Sequence, residues 1–120
     1  MNAIRIDSTE DTPQVILDKA SNEFELSGRS LPEDAVSFYQ PILDWLGEYS
    51  SDPNNETNFI IKLEYFNTAS SKLLLDVLTV LEDIDNVKVI WYYYEDDEDM
   101  EEAGEEFSDL VDVEFEFKEM

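Results

Sequence analysis

The sequence predicts an α/β fold: a mostly parallel, mixed β-sheet of five to six strands with three helices on one face. Two observations carry this expectation. Segments of period-2 alternation are interleaved with segments of helical spacing, which implies crossover connections between parallel strands. The strands also read as one-sided, since Phe59, Ile61, Leu63 and Tyr65 alternate with Lys62 and Glu64. A sheet covered on both faces has near-continuous apolar strands instead.

Taken in order, Ala3 to Ile6 and Val15 to Leu17 are weak strand candidates, and Glu23 to Ser27 (EFELS) is a clear one. Ala35, Phe38, Tyr39, Ile42, Trp45, Leu46 and Tyr49 then share one helix face. That helix is expected to start near Pro32, with Ser30 and Glu33 spaced as a capping box and Pro41 as a kink. Asn58 to Phe66 (NFIIKLEYF) is the central strand. Leu73, Leu74, Val77, Leu78, Leu81 and Ile84 mark the second helix. Val87 to Tyr94 (VKVIWYYY) is a strand, Met100, Ala103, Phe107 and Leu110 mark a third helix, and Val113 to Lys118 (VEFEFK) is the last strand. With no internal repeat, the 120 residues read as a single domain, 1–120.

In VKVIWYYY the alternation leaves Ile90, Tyr92 and Tyr94 on the polar side of the sheet, together with Ile60 and Phe66. An exposed aromatic patch of this kind marks a partner or dimer surface. The plainer expectation is that the N-terminal strands fold across it.

Charge narrows the function. Against 31 Asp and Glu stand 7 Lys and Arg, a formal net charge of −24. Such a chain is repelled by nucleic acid and by anionic membranes, and favours basic protein surfaces. It also allows an alternative reading, a nucleic-acid mimic that occupies a basic DNA-binding protein. The absence of Cys and His excludes disulfides, Cys- or His-ligated zinc and every nucleophile–His pairing. No signal peptide or apolar run of about 20 residues is present, so a cytoplasmic location is expected.

No motif points to an enzyme or a cofactor. The acidic run Glu95 to Glu102 fails as a calcium loop: counted from Asp97, the sixth residue is Glu102 rather than Gly and the twelfth is Ser108 rather than Glu. Weak Mg²⁺ or Ca²⁺ binding by its oxygens is the most it suggests. Its plainer role is to place carboxylates at the positive end of the third helix dipole.

The stretch EYFNTASSKLLLD, Glu64 to Asp76, carries more. It takes a strand into a helix at the carboxyl edge of the sheet, where open α/β sheets present ligands and chemistry. Asn67, Thr68, Ala69, Ser70 and Ser71 hold three hydroxyls and an amide, and helix capping explains such residues. A phosphate on one of them would meet free backbone amides and the positive end of the dipole, with Lys72 and Arg29 as candidate cationic partners. Spacing alone does not choose among Thr68, Ser70 and Ser71.

GRSLPEDAVSFYQPILDWL, KLEYFNTASSK and VIWYYYEDDEDMEEAGEEF together resemble the SiaC family of bacterial regulatory phosphoproteins, in order and spacing from about Thr12 to Lys118. The resemblance implies a STAS-like fold, that of anti-anti-sigma factors, and a protein that is not an enzyme. It implies threonine phosphorylation by a partner Ser/Thr kinase, reversal by a PP2C-like phosphatase, and an unphosphorylated form that binds an effector. In the best-known system that effector is a diguanylate cyclase, whose activation raises cyclic di-GMP and favours aggregation and biofilm. By position the acceptor is Thr68, with Asn67, Ala69, Ser70, Ser71 and Lys72 around it; Ala69 stands where the family commonly has Ser.

Overall fold

The alternation seen in the sequence becomes nine elements in a computed structural model that describes residues 1–120. They are β1 (Ile4–Ile6), β2 (Gln14–Asp18), β3 (Glu23–Ser30), α1 (Ala35–Tyr49), β4 (Thr57–Phe66), α2 (Thr68–Leu81), β5 (Val87–Tyr93), α3 (Glu98–Leu110) and β6 (Glu114–Glu119). All six strands form one sheet in sequence order, β1 to β6. The first two pairings are antiparallel and the other three parallel, so the sheet is mixed. The chain moves steadily across the sheet from β3 to β6 through three crossovers. Right-handed connections then put every helix on the same face.

That face is the core. Val15, Leu17, Phe24, Leu26, Phe59, Ile61, Leu63, Val89 and Trp91 alternate inward from four strands and are buried. Each helix meets them with its own stripe: Tyr39, Ile42, Trp45, Leu46 and Tyr49 from α1, Leu73, Leu74, Val77, Leu78 and Leu81 from α2, Met100 and Phe107 from α3. Burying a large aliphatic or aromatic side chain is worth about 1.5–3 kcal/mol, so this layer dominates stability. Gly104 is required where α3 crosses β5. A Cβ there would lie 2.6 Å from the Trp91 indole nitrogen, which donates to the Met100 carbonyl at 3.0 Å.

Several expectations need correction. The N-terminal strands do not fold across the polar face of the sheet; β1 and β2 extend the sheet at its β3 edge. Backbone pairing to β3 supplies that placement, and the side chains of Ile90 and Tyr92 stay half-exposed. The capping box at Ser30 does not form. Asp34 caps α1, accepting from the Ser37 amide at 3.1 Å. Ser30 ends β3 instead, and the helix continues through Pro41 to Tyr49.

Tyr65 also leaves the apolar face. Pairing of β3 with β4 shifts between Gly28 and Arg29, whose partners are Leu63 and Tyr65, so Glu64 is an extra residue in β4. A bulge of this kind inverts the facing of the residues after it. Tyr65 is 53% exposed, while Phe66 turns inward and packs on Phe107 at 6.0 Å between ring centroids. Gly28 permits the bend, at φ +109°.

Candidate functional site

The bulge in β4 sets the geometry of the junction that follows it. Phe66 faces α3, and Asn67 crosses to the end of β3, where its amide donates to the Ser30 carbonyl at 3.1 Å. Asn67, not one of the hydroxyl residues, is the cap of α2: its Oδ1 accepts from the Ser70 amide at 2.8 Å. The amides of Thr68 and Ala69 therefore lack intrahelical partners, as at any helix start.

The three hydroxyls have different surroundings. Ser70 is fully buried. Its hydroxyl accepts from Ser30 Oγ at 2.8 Å and donates to the Ser30 carbonyl at 3.1 Å. Since the single Ser30 proton is used there, the 2.6 Å contact between Ser30 Oγ and the Tyr39 hydroxyl has Tyr39 as donor. Burial raises the Tyr39 pKa above its ordinary value, and the neighbouring Ser30 and Ser70 hydroxyls act in the opposite direction. These three residues tie the ends of β3, α1 and α2 together with no buried polar side-chain atom left unpaired. Ser71 is half-buried, whereas Thr68 is exposed and its hydroxyl has no partner in the chain.

Thr68 opens onto a groove of 380 Å³ between α2 and α3. Phe66, Leu75, Ala103, Phe107 and Leu110 give it an apolar floor, with Ser71, Lys72 and Glu106 at the rim. Leu110 is 64% exposed, contrary to the core position its helical spacing suggests, because α3 ends there and its last turn overhangs the groove. Lys72 forms no ion pair and shares the groove with Thr68. Arg29 is likewise unpaired, but it sits beside Tyr65 at the end of β3, outside the groove.

The other residues singled out in the sequence lie elsewhere. Ile90 and Tyr92 are on the open face of the sheet, where Lys62 Nζ stacks over the Tyr92 ring at 4.7 Å. Tyr94 follows the end of β5 and is exposed. The Glu95–Glu102 carboxylates do not converge in a metal-holding group of three or more; Asp97 caps α3, and Glu98, Asp99 and Glu101 fill its first turn. Sequence reasoning missed Ser30 and Tyr39 as supports of the junction. The available signal was a tyrosine on a buried helix face, whose hydroxyl needs a partner.

The model of the SiaC family of regulatory phosphoproteins matches residues 6–120. The chain belongs to the SiaC family. Two solved structures of SiaC from Pseudomonas aeruginosa share this fold. An apo form is 26% identical, with a TM-score of 0.88 over 98% of this chain and 99% of that one. A second is 25% identical, with a TM-score of 0.90 over the whole of both chains. The diguanylate cyclase SiaD of the same organism has been solved in complex with its activator SiaC, which is 26% identical to this chain at a TM-score of 0.90, over 98% of this chain and 99% of that one. An uncharacterized Pseudomonas aeruginosa protein is 28% identical over 111 residues, 89% of this chain and 88% of the relative. Family membership makes this chain a regulatory protein, and the groove beside Thr68 is an apolar-floored concavity at the carboxyl edge of the sheet.

Proposed function

We propose that this SiaC family protein is a non-catalytic cytoplasmic switch, a single domain over residues 1–120. A partner Ser/Thr kinase phosphorylates Thr68, a PP2C-like phosphatase removes the phosphate, and the unphosphorylated form binds and regulates an effector, a diguanylate cyclase. The observation that carries the choice of Thr68 is the contrast among the junction hydroxyls. Thr68 is exposed and unpartnered, while Ser70 is buried and bonded to Ser30. A kinase needs the first condition and cannot use the second without unfolding the helix start.

The switch works by charge and bulk. A phosphate adds about −1.5 to −2 charges at pH 7. At Thr68 it meets the unsatisfied amides of α2, the positive end of the dipole and Lys72; Arg29 adds positive potential from outside the groove. The unphosphorylated surface is Asn67, Thr68, Ala69, Ser71 and Lys72 with the apolar floor beyond them. Phosphate places a hydrated dianion over that floor, facing Glu106, so an effector side chain seated on it is repelled and displaced. Titration of the cognate cyclase with wild type and Thr68→Asp tests this reading. Tight binding by wild type and at least about tenfold weaker binding by Thr68→Asp is expected. Equal affinity for both contradicts it, as the nucleic-acid mimic reading would predict.

A further inference from the structure

The open face of the sheet differs from the rest of this molecule in charge. By register, its side chains are Arg5 from β1; Gln14, Ile16 and Asp18 from β2; Glu23, Glu25 and Ser27 from β3; Asn58, Ile60 and Lys62 from β4; Lys88, Ile90 and Tyr92 from β5; and Glu114, Glu116 and Lys118 from β6. Up to the bulge in β4, five carboxylates face four cations here, against 31 carboxylates and 7 cations in the whole chain. All but Lys62 and Glu25 of these charges are also paired within the chain: Arg5 with Asp18 and Glu23 at 2.9 and 2.7 Å, Lys88 with Glu114 at 3.5 Å, Lys118 with Glu116 at 3.4 Å. The half-buried Ile16, Ile60 and Ile90 lie along one cross-strand row, with a hollow between them lined also by Arg5 and Glu25.

We propose that this face is a homodimer interface. A basic partner finds far more negative charge on any other surface, whereas a second copy, itself at −24, is repelled everywhere except here. The register makes the flanking strands of the face, β1 with β6 and β2 with β5, self-complementary. One row across the sheet reads Arg5, Ile16, Glu25, Ile60, Ile90, Glu116, and the next reads Asp18, Glu23, Asn58, Lys88, Glu114. A two-fold axis parallel to the strands, between β3 and β4, stacks β4 on β3, β5 on β2 and β6 on β1. Arg5 then lies over Glu116 of the second copy, Ile16 over Ile90 and Asp18 over Lys88. Each match occurs twice, as an isologous interface requires, in the aligned packing usual for stacked sheets.

Six strands about 4.8 Å apart, with about six residues each, present roughly 550 Å² per copy, below the ~800 Å² of a standard interface. The dimer is therefore weak and transient, and salt strengthens it by screening the residual repulsion. The Thr68 groove is on the helix side and stays free in both copies.

Sedimentation velocity on the full chain, from about 10 µM to about 1 mM and at low and high NaCl, reads the dissociation constant. Wild type is expected to shift toward twice the monomer mass with concentration, more so at high salt. Ile90→Glu is expected to weaken dimerisation at least about tenfold, and adding Ile16→Lys to recover it. Ile16 and Ile90 are three strand spacings apart in one copy, so recovery comes only from contact between copies. Circular dichroism confirms that both variants fold. Monomer mass at every concentration and salt overturns the proposal, as does a dimer indifferent to Ile90→Glu, or a double variant no tighter than the single one.

Discussion

At the carboxyl edge of the sheet, β4 enters α2 and β5 enters α3 through the same device. A side-chain oxygen, of Asn67 in one and Asp97 in the other, accepts from the amide three residues on, at 2.8 and 3.0 Å. The two helix starts then diverge. The first turn of α3 carries Glu98, Asp99 and Glu101 behind a charged cap, whereas α2 has a neutral cap and no acidic residue in its first turn. In α3 the positive end of the dipole is answered by fixed charge. In α2 no fixed charge answers it, which suits the phosphate proposed at Thr68 beside the apolar groove. The first turn of α1 also lacks an acidic residue but follows the charged cap Asp34, so α2 alone has neither.

Four changes break or sharpen this contrast. The largest effect concerns the seat of α3, which forms one wall of the groove. Gly104→Ala puts a Cβ within 2.6 Å of Trp91 Nε1, and the overpacking is expected to cost about 2–3 kcal/mol. Urea midpoints measure it, with Gly47→Ala as the control. Gly47 has nothing within 4 Å of its added Cβ, and alanine in an exposed helix is expected to stabilise by about 0.5–1 kcal/mol.

Giving α2 the fixed charge that α3 already has comes second. Thr68→Asp is expected to cost about 1.4 kcal/mol or more of effector affinity while leaving the thermal midpoint almost unchanged. A large loss of stability instead would show that the charge acts by melting the helix start. Third, Asn67→Ala removes the cap and is expected to cost about 1 kcal/mol. Asn67→Asp retains the cap but makes the junction resemble that of α3, so the phosphorylated form should melt lower than phosphorylated wild type.

The smallest effect is acid stability. Asp18 is held below its ordinary value by Arg5 first and then by Ser21, and Asp34 by the Ser37 amide and hydroxyl. Carboxylates depressed in this way stabilise fully above the unfolded value of 3.8. Their contribution fades as pH falls below it. Asp34→Asn keeps the cap but removes its ionisable group, and should flatten the loss of stability below about pH 4 in urea titrations.

Much of this was legible before any coordinates. The one-sided strands foretold the single helix layer, because alternation records which face meets water. The stripes of α1 and α2 matched their buried residues almost position for position. What escaped was decided by a single residue or by tertiary pairing. The extra Glu64 in β4 is invisible to a period-2 pattern, yet it exchanges Tyr65 and Phe66 between faces and so turns Phe66 into the groove floor. Asn67 and Thr68 are both good caps by type, and only the backbone geometry separates the capping residue from the exposed one. Ser30 looked like a helix cap because its spacing to Glu33 fits; in the fold it meets Ser70, 40 residues away. The strands that were expected to cover Ile90 and Tyr92 instead lengthened the sheet, since pairing to β3 satisfies their backbone groups where a crossing position would not.

The central claim is that Thr68 alone among the junction hydroxyls accepts phosphate. Incubation of wild type and Thr68→Ala with the cognate kinase and ATP, followed by phosphopeptide mapping, reads it directly. Phosphate confined to the peptide spanning Glu64 to Asp76 in wild type, and absent from Thr68→Ala, is the expected result. Phosphate that persists in Thr68→Ala, or that appears only outside this peptide, contradicts it.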